Sequence, residues 1–190
     1  MSQYKFLTFF LKNLYEEKII AYPTEGVFGL GCDPDSKKAV MSLQTLKKRS
    51  LSKGFILVAA DYQQLTPYIE SEKLSYKQRA QLYSHNSEPF TWIVPARIQT
   101  PSWLTGSLNS VAIRISKHEA IIQLCKAFKK PLVSTSANVS GSPPCRSLEE
   151  IRSQFGYELP VYPGNIGELQ HPTEIRDLFS GKIIRSGDNV

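Results

Sequence analysis

Apolar side chains recur at Phe6, Leu7, Phe10, Leu11 and Leu14, the spacing that lines one face of a helix. The β-branched pair Ile19-Ile20 breaks that rhythm and predicts a strand running to Tyr22-Pro23. Asp35 and Ser36 then offer N-caps to a second helix, whose Ala39, Val40, Leu43 and Leu46 share a face and which ends in the basic run 47–49. Residues 54–60, Gly-Phe-Ile-Leu-Val-Ala-Ala, form a continuous apolar run of strand length instead of an alternating one. Such a strand is buried on both faces, which calls for a sheet covered by helices and so for an α/β fold.

A helix is predicted over 74–83, and strands over 90–94 and 111–115, where β-branched and aromatic residues concentrate. Ala120, Ile121, Leu124 and Phe128 line another helix, stopped by Lys129-Lys130-Pro131, and Leu132-Val133 begins a short strand. Residues 134–144 read as a polar loop rich in Ser, Gly and Pro, and 147–155 as a last helix. Short extended pieces follow near Val161, 174–176 and 182–184. No internal repeat and no linker divides the chain, so one domain over 1–190 is expected.

Composition narrows the classes. With 190 residues, 41% hydrophobic and 11% aromatic, a core can be built, and the 11 Gly and 12 Pro exclude collagen-like and low-complexity chains. Lys and Arg number 23 against 17 Asp and Glu, a net charge of +6, which calls for an anionic partner without separating nucleic acid, nucleotide and lipid. Cys32, Cys125 and Cys145 are odd in number and lack CxxC spacing, which argues against a disulfide framework or structural zinc and for a reducing cytosol. Lys5 and Lys12 interrupt the apolar N-terminus, no small-residue cleavage site follows, and no stretch reaches the roughly 18 apolar residues of a membrane span. A soluble, cytoplasmic protein that does not engage the membrane is expected. His85, His118 and His171 are scattered without HExxH spacing, and no carboxylate pair stands out for glycosidase chemistry.

Four segments concentrate polar residues at the ends of predicted strands, where open α/β sheets usually hold ligands. Residues 22–31, Tyr-Pro-Thr-Glu-Gly-Val-Phe-Gly-Leu-Gly, are either a strand-end turn or a loop whose glycines let backbone approach a ligand. They match neither GxGxxG nor GxxxxGK[ST]. Residues 46–54 place four cations within seven residues, either a solvated helix end or a phosphate cradle. Arg114 sits in an otherwise apolar strand, so an internal carboxylate pairs with it or its guanidinium binds an anionic group in a cleft. Residues 134–141, Ser-Thr-Ser-Ala-Asn-Val-Ser-Gly, supply either turn and cap bonds or a dense donor and acceptor surface. A serine nucleophile has neither GxSxG nor a histidine nearby in sequence.

Taken in order, YPTEGVFGLGCDPDS, the KKR run followed by KGFILVAA, SVAIR, PLVSTSANVSG followed by PPCRS, PTEIRD and IIRSG resemble the YrdC family in its short single-domain form. The resemblance spans nearly the whole chain. It implies an α/β domain with a twisted, open mixed sheet flanked by helices and a concave basic cleft. It further implies a nucleotidyltransferase that joins L-threonine, bicarbonate and ATP, with Mg²⁺, into threonylcarbamoyl-AMP and pyrophosphate. Other enzymes then transfer the threonylcarbamoyl group to adenosine 37 of tRNAs reading codons that begin with A, and tRNA is itself a partner to consider.

By that resemblance Lys47, Arg49 and Lys53 serve catalysis, and Arg49, Lys53, Ser110, Asn138, Arg146 and Arg185 bind ATP. Thr24, Arg114, Ser136 and Thr173 bind threonine, Arg114 gripping its carboxylate; no residue is assigned to a metal. Three departures stand out. Gly26 replaces a frequent Thr, and so loses a side-chain contact to substrate or supplies it from backbone. Ser50 replaces a proline and loosens its loop, and Ser87-Glu88 replaces part of a PGPxT turn, putting a carboxylate beside the site or in solvent. The alternative from another class is a non-catalytic RNA-binding module that uses the same basic concavity.

Overall fold

The computed structural model describes residues 3–50, 52–83 and 89–187. Its elements run α1 (Gln3–Tyr15), β1 (Ile20–Pro23), β2 (Phe28–Cys32), α2 (Lys37–Lys47), β3 (Ile56–Ala59), α3 (Tyr76–Tyr83), β4 (Thr91–Pro95), α4 (Ser102–Thr105), β5 (Ser110–Ile115), α5 (Glu119–Phe128), β6 (Leu132–Ser136), α6 (Leu148–Phe155), β7 (Ile175–Asp177) and β8 (Ile183–Arg185). The strands form one open sheet in the order β1-β2-β6-β3-β5-β4-β7-β8. It is mixed: β3 pairs β5 and β4 pairs β7 in parallel, and the other pairings are antiparallel. Among the described residues no helix is long and apolar enough to cross a membrane.

The predicted helices and strands fall close to their expected places, with local shifts. Ser36 is the cap of α2, its hydroxyl accepting from the Ala39 amide at 3.0 Å. Ser147 and Glu150 close a reciprocal capping box on α6. A 3-10 turn at Ser71–Lys73 precedes α3, which begins at Tyr76 and not at residue 74. The four-residue α4 was not expected, and β6 draws Ser134, Thr135 and Ser136 out of the predicted polar loop into the sheet.

The largest difference is β2, which lies inside the segment read as a glycine-rich turn. Its glycines suit a close crossing instead of a bend. Tyr22 pairs with Gly29 across the ladder, and its ring lies over the strand. A Cβ on Gly31 would stand 2.4 Å from the Val133 carbonyl oxygen and 2.7 Å from the Tyr22 hydroxyl. Glycine here leaves room for the aromatic ring, a tertiary requirement that the strand propensities of Gly conceal.

Side chains alternate across a strand, so the sheet has two faces with different fates. On one, Phe28 and Leu30 of β2, Leu57 and Ala59 of β3, Val111 and Ile113 of β5 and Val133 of β6 pack with Ala39, Val40 and Leu43 of α2. On the other, α1 and α5 bring Phe10, Leu14, Ile121, Leu124 and Phe128 onto Ile20, Tyr22, Val58 and Leu132. That cover reaches only part of the second face. Ile56, Ser110, Ala112, Ser134 and Ser136 of the same face line an open cleft instead. The cleft therefore opens on the face of the sheet.

Replacing Gly31 by Ala is expected to destabilise the fold by about 1–3 kcal/mol through overpacking against Tyr22 and Val133. Urea denaturation checks this as a lower midpoint at an unchanged slope; a parental midpoint would mean that the crossing yields without cost.

Candidate functional site

The cleft has a cavity volume of about 200 Å³. Thr24, Ser110, Ser134, Thr135, Ser136 and Thr173 give it a hydroxyl-rich wall, while Arg49, Arg114 and Arg185 supply the charge.

Arg49 reaches the cleft because Lys48 ends α2 in the left-handed conformation, φ 51°, and turns the chain back. Its Nη2 donates to the Gly54 carbonyl at 2.7 Å, and its guanidinium lies 5.1 Å from the centre of the Phe55 ring. Burial pulls its pKa below the ordinary arginine value. Arg185 comes from β8 at the far side, its Nη2 donating to the Thr173 carbonyl at 3.0 Å. Burial first, and then the charges of Arg114 and Arg49, lower its pKa, so the three guanidiniums sense one another. In each of the three, the buried Nε lacks a hydrogen-bond partner among the described residues. Several like charges gathered in a recess favour an anionic occupant.

Arg114 has an internal carboxylate partner and also borders the cleft. Its Nη1 donates to Thr173 Oγ1 at 2.8 Å, and its Nη2 stands 3.3 Å from Glu25 Oε2, yet the residue also lines the cleft. Thr173 Oγ1 in turn shares a 2.8 Å hydrogen bond with Thr91 Oγ1. Glu25 Oε1 accepts from the Ser116 hydroxyl at 2.5 Å. Burial pushes the Glu25 carboxyl up, but the Arg114 charge and the Ser116 hydroxyl bring it below its ordinary value. Glu25, Ser116 and Thr91 carried no signal of their own in the sequence. Glu25 lies in the motif that carries Thr24, but its pairing with a strand nearly ninety residues away exists only in space.

Seven expected site residues line the cleft, namely Thr24, Arg49, Ser110, Arg114, Ser136, Thr173 and Arg185. The other four are placed differently. Lys47 is buried behind the wall, its ammonium donating to Ser136 O at 2.5 Å, Asn138 O at 2.7 Å and Asn138 Oδ1 at 3.0 Å. All three of its hydrogens are thereby used within the protein. Asn138 also accepts from the Ser136 hydroxyl at 2.7 Å and donates to Ser142 O at 2.7 Å, so it too builds the wall. Lys53 is exposed, its backbone bridged to Gly106. Arg146 Nη1 donates to the carbonyls of Leu169 and Gln170, at 3.3 and 3.0 Å.

The departures also acquire causes. A Cβ on Gly26 would stand 2.7 Å from His171 O and 3.0 Å from Leu169 Cβ, so the 167–171 strap occupies the space of a side chain there. Ser50 does not leave its loop untied; its hydroxyl bonds that of Ser52 at 2.8 Å. Ser87, Glu88 and His85 lie outside the described residues. Among the described residues no group of three or more His, Cys, Asp or Glu gathers to hold a metal ion. Cys32, Cys125 and Cys145 are free and buried, and burial pushes the thiols of Cys125 and Cys145 up to about 12 and about 11.

The Sua5/YciO/YrdC family model, described as telomere recombination, matches residues 12–187. A protein of Yersinia pestis (strain Pestoides F) named threonylcarbamoyl-AMP synthase is 55% identical over 177 residues, 93% of either chain. The structure of P. abyssi Sua5 complexed with L-threonine superposes with a TM-score of 0.88 at 25% identity, covering 98% of this chain, which spans 55% of that one. E. coli YciO shares the fold at 21% identity, with a TM-score of 0.81 over 100% of this chain and 93% of its own.

Lys47 yields a pH prediction. Burial, then the charge of Arg49, lowers its pKa from 10.5 to about 8. Between those values the unfolded chain binds the proton more tightly than the folded one, so the contribution of Lys47 to stability rises with pH from about 8 to 10.5. Lys47→Met is expected to remove that rise and, by stranding buried acceptors, to cost about 1–3 kcal/mol at pH 7. Denaturation midpoints across this pH range, parent against variant, check both.

Proposed function

The chain belongs to the Sua5/YciO/YrdC family, and on that footing we propose that it is a threonylcarbamoyl-AMP synthase, a nucleotidyltransferase acting on L-threonine, bicarbonate and ATP. The observation that carries this reading is the convergence of Arg49, Arg114 and Arg185 on one hydroxyl-lined cleft, each with a buried Nε that none of the described residues satisfies. A triphosphate and an amino-acid carboxylate are the kind of anions that such a cleft neutralises.

The amine of threonine adds to bicarbonate with loss of water, giving a carbamate. A carbamate oxygen then attacks the α-phosphorus of ATP, and the bond to pyrophosphate breaks as the new one forms. The residues have no covalent step to perform; they align one anion against another and stabilise the charge that spreads during transfer. We assign Arg114 and Thr173 to the threonine carboxylate, with Thr24 and Ser136 at the same end. Arg49 and Arg185 are assigned to the phosphates, with Ser110 beside them and Lys53 contributing from the rim. Lys47, Asn138 and Arg146 act through the wall and the strap that they hold in place.

The described residues offer Mg²⁺ no carboxylate set, since Glu25 is committed to Arg114 and Ser116. The metal is proposed to travel with the nucleotide's phosphates. One domain over 1–190, cytoplasmic, with tRNA and the enzymes of threonylcarbamoyl transfer as downstream partners, completes the proposal.

The test supplies L-threonine, bicarbonate, Mg²⁺ and ATP and measures pyrophosphate and threonylcarbamoyl-AMP. Product at the level of a no-enzyme control, together with tRNA binding that weakens steeply with salt, would favour an RNA-binding module instead. Arg114→Ala is expected to lose about 1.5–3 kcal/mol of threonine binding, roughly one to two decades. Calorimetric titration with L-threonine checks this, beside a denaturation curve to separate binding from folding; unchanged affinity would remove Arg114 from the carboxylate site.

A further inference from the structure

We propose that Glu25, which does not itself line the cleft, is a positioning residue that dedicates Arg114 to the amino-acid substrate; the inference rests on the proposed synthase activity. A guanidinium carries five N–H donors in one plane on a long flexible stem. In Arg114, Nη1 is hydrogen-bonded to Thr173 and Nη2 is ion-paired with Glu25 Oε2 at 3.3 Å, two contacts that together orient the guanidinium and leave its buried Nε without a hydrogen-bond partner among the described residues. With Thr173 alone, a single neutral hydrogen bond would hold a cation that has two half-buried arginines as neighbours.

Glu25 is itself held from both ends. Its backbone carbonyl accepts from the Leu169 amide at 3.0 Å, in the strap that covers Gly26. Its Oε1 takes the Ser116 hydroxyl, so Oε2 is presented to Arg114. A buried ion pair is a poor way to stabilise a fold, because desolvation consumes most of its attraction. Its retention beside the cleft is better accounted for by what it does to the guanidinium. The cleft must hold two different anions at once, and three unassigned arginines would all be drawn to the more highly charged one, the triphosphate. By neutralising and orienting Arg114, Glu25 keeps one guanidinium for the weaker anion, the threonine carboxylate.

The experiment compares the parent with Glu25→Gln, Glu25→Asp and Ser116→Ala in pyrophosphate release, varying L-threonine and ATP separately, with calorimetric L-threonine binding alongside. Glu25→Gln keeps size and removes charge; we expect the threonine KM and Kd to rise about tenfold, roughly 1.4 kcal/mol, with kcat and the ATP KM within about twofold. Restoring the charge in Glu25→Asp should recover part of that loss, and Ser116→Ala should raise the threonine KM about threefold, roughly 0.6 kcal/mol. Parental threonine affinity in Glu25→Gln overturns the proposal, as does a parallel loss of ATP and threonine affinity with a lowered unfolding midpoint, which would mark a merely structural pair. If Glu25→Gln does not fold, Ser116→Ala decides, and an unchanged threonine KM overturns the role. A parent that forms no product overturns the synthase reading instead, and the calorimetric comparison then decides the role of Glu25.

Discussion

A guanidinium buried in the middle of an apolar strand has to be neutralised, and much of the cleft is arranged around that requirement at Arg114. Three separate parts of the chain converge on it. The turn after β1 brings Glu25, β5 continues into Ser116, and the segment before β7 brings Thr173. The strap over 167–171 is seated on the turn that carries Glu25, where Gly167 and Leu169 donate to the carbonyls of Thr24 and Glu25. Arg146 pins the strap from outside through Leu169 and Gln170. One electrostatic demand thus ties together residues spread over most of the sequence.

The incomplete cover of the sheet is the second half of the design. Where α1 and α5 lie on the sheet, its side chains are Ile20, Tyr22, Val58 and Leu132; where they do not, the same face carries Ser110 and Arg114 of β5 and Ser134 and Ser136 of β6. Leu132 and Ser134 are two residues apart on one strand face, so the boundary between core and cleft falls within a single strand. The net charge of +6 resolves in the same way. Arg114, buried, and Arg49 and Arg185, half-buried, are gathered at one cleft, while Lys12, Lys18 and Lys38 pair with exposed carboxylates and contribute little.

Polar residues that look alike in the motifs divide into those that face the cleft and those that build it. Ser136 lines the cleft, and its backbone carbonyl meanwhile anchors Lys47. Lys47 and Asn138 share a closed set of hydrogen bonds that fastens the end of α2 to the loop after β6. The loop is thereby held by a buried cation, which explains why a helix that ends in three basic residues turns one of them inward.

The helices over residues 6–14, 37–47 and 119–128 and the central strand at 56–59 were legible because their burial is written locally, as apolar periodicity with caps at the ends. The ordered motifs likewise named seven of the residues that line the cleft. What stayed hidden depends on distance. Gly29 and Gly31 read as turn residues because nothing nearby announces the Tyr22 ring that needs their space. Lys47 and Arg49 stand two positions apart in one basic run, yet helical geometry and the left-handed Lys48 send one behind the wall and the other into the cleft. Glu25 gained its part only when folding set it beside Arg114. Periodicity and capping act over a few residues and can be read along the chain, whereas pairing of buried charges and steric room are settled between segments that meet only in the folded protein.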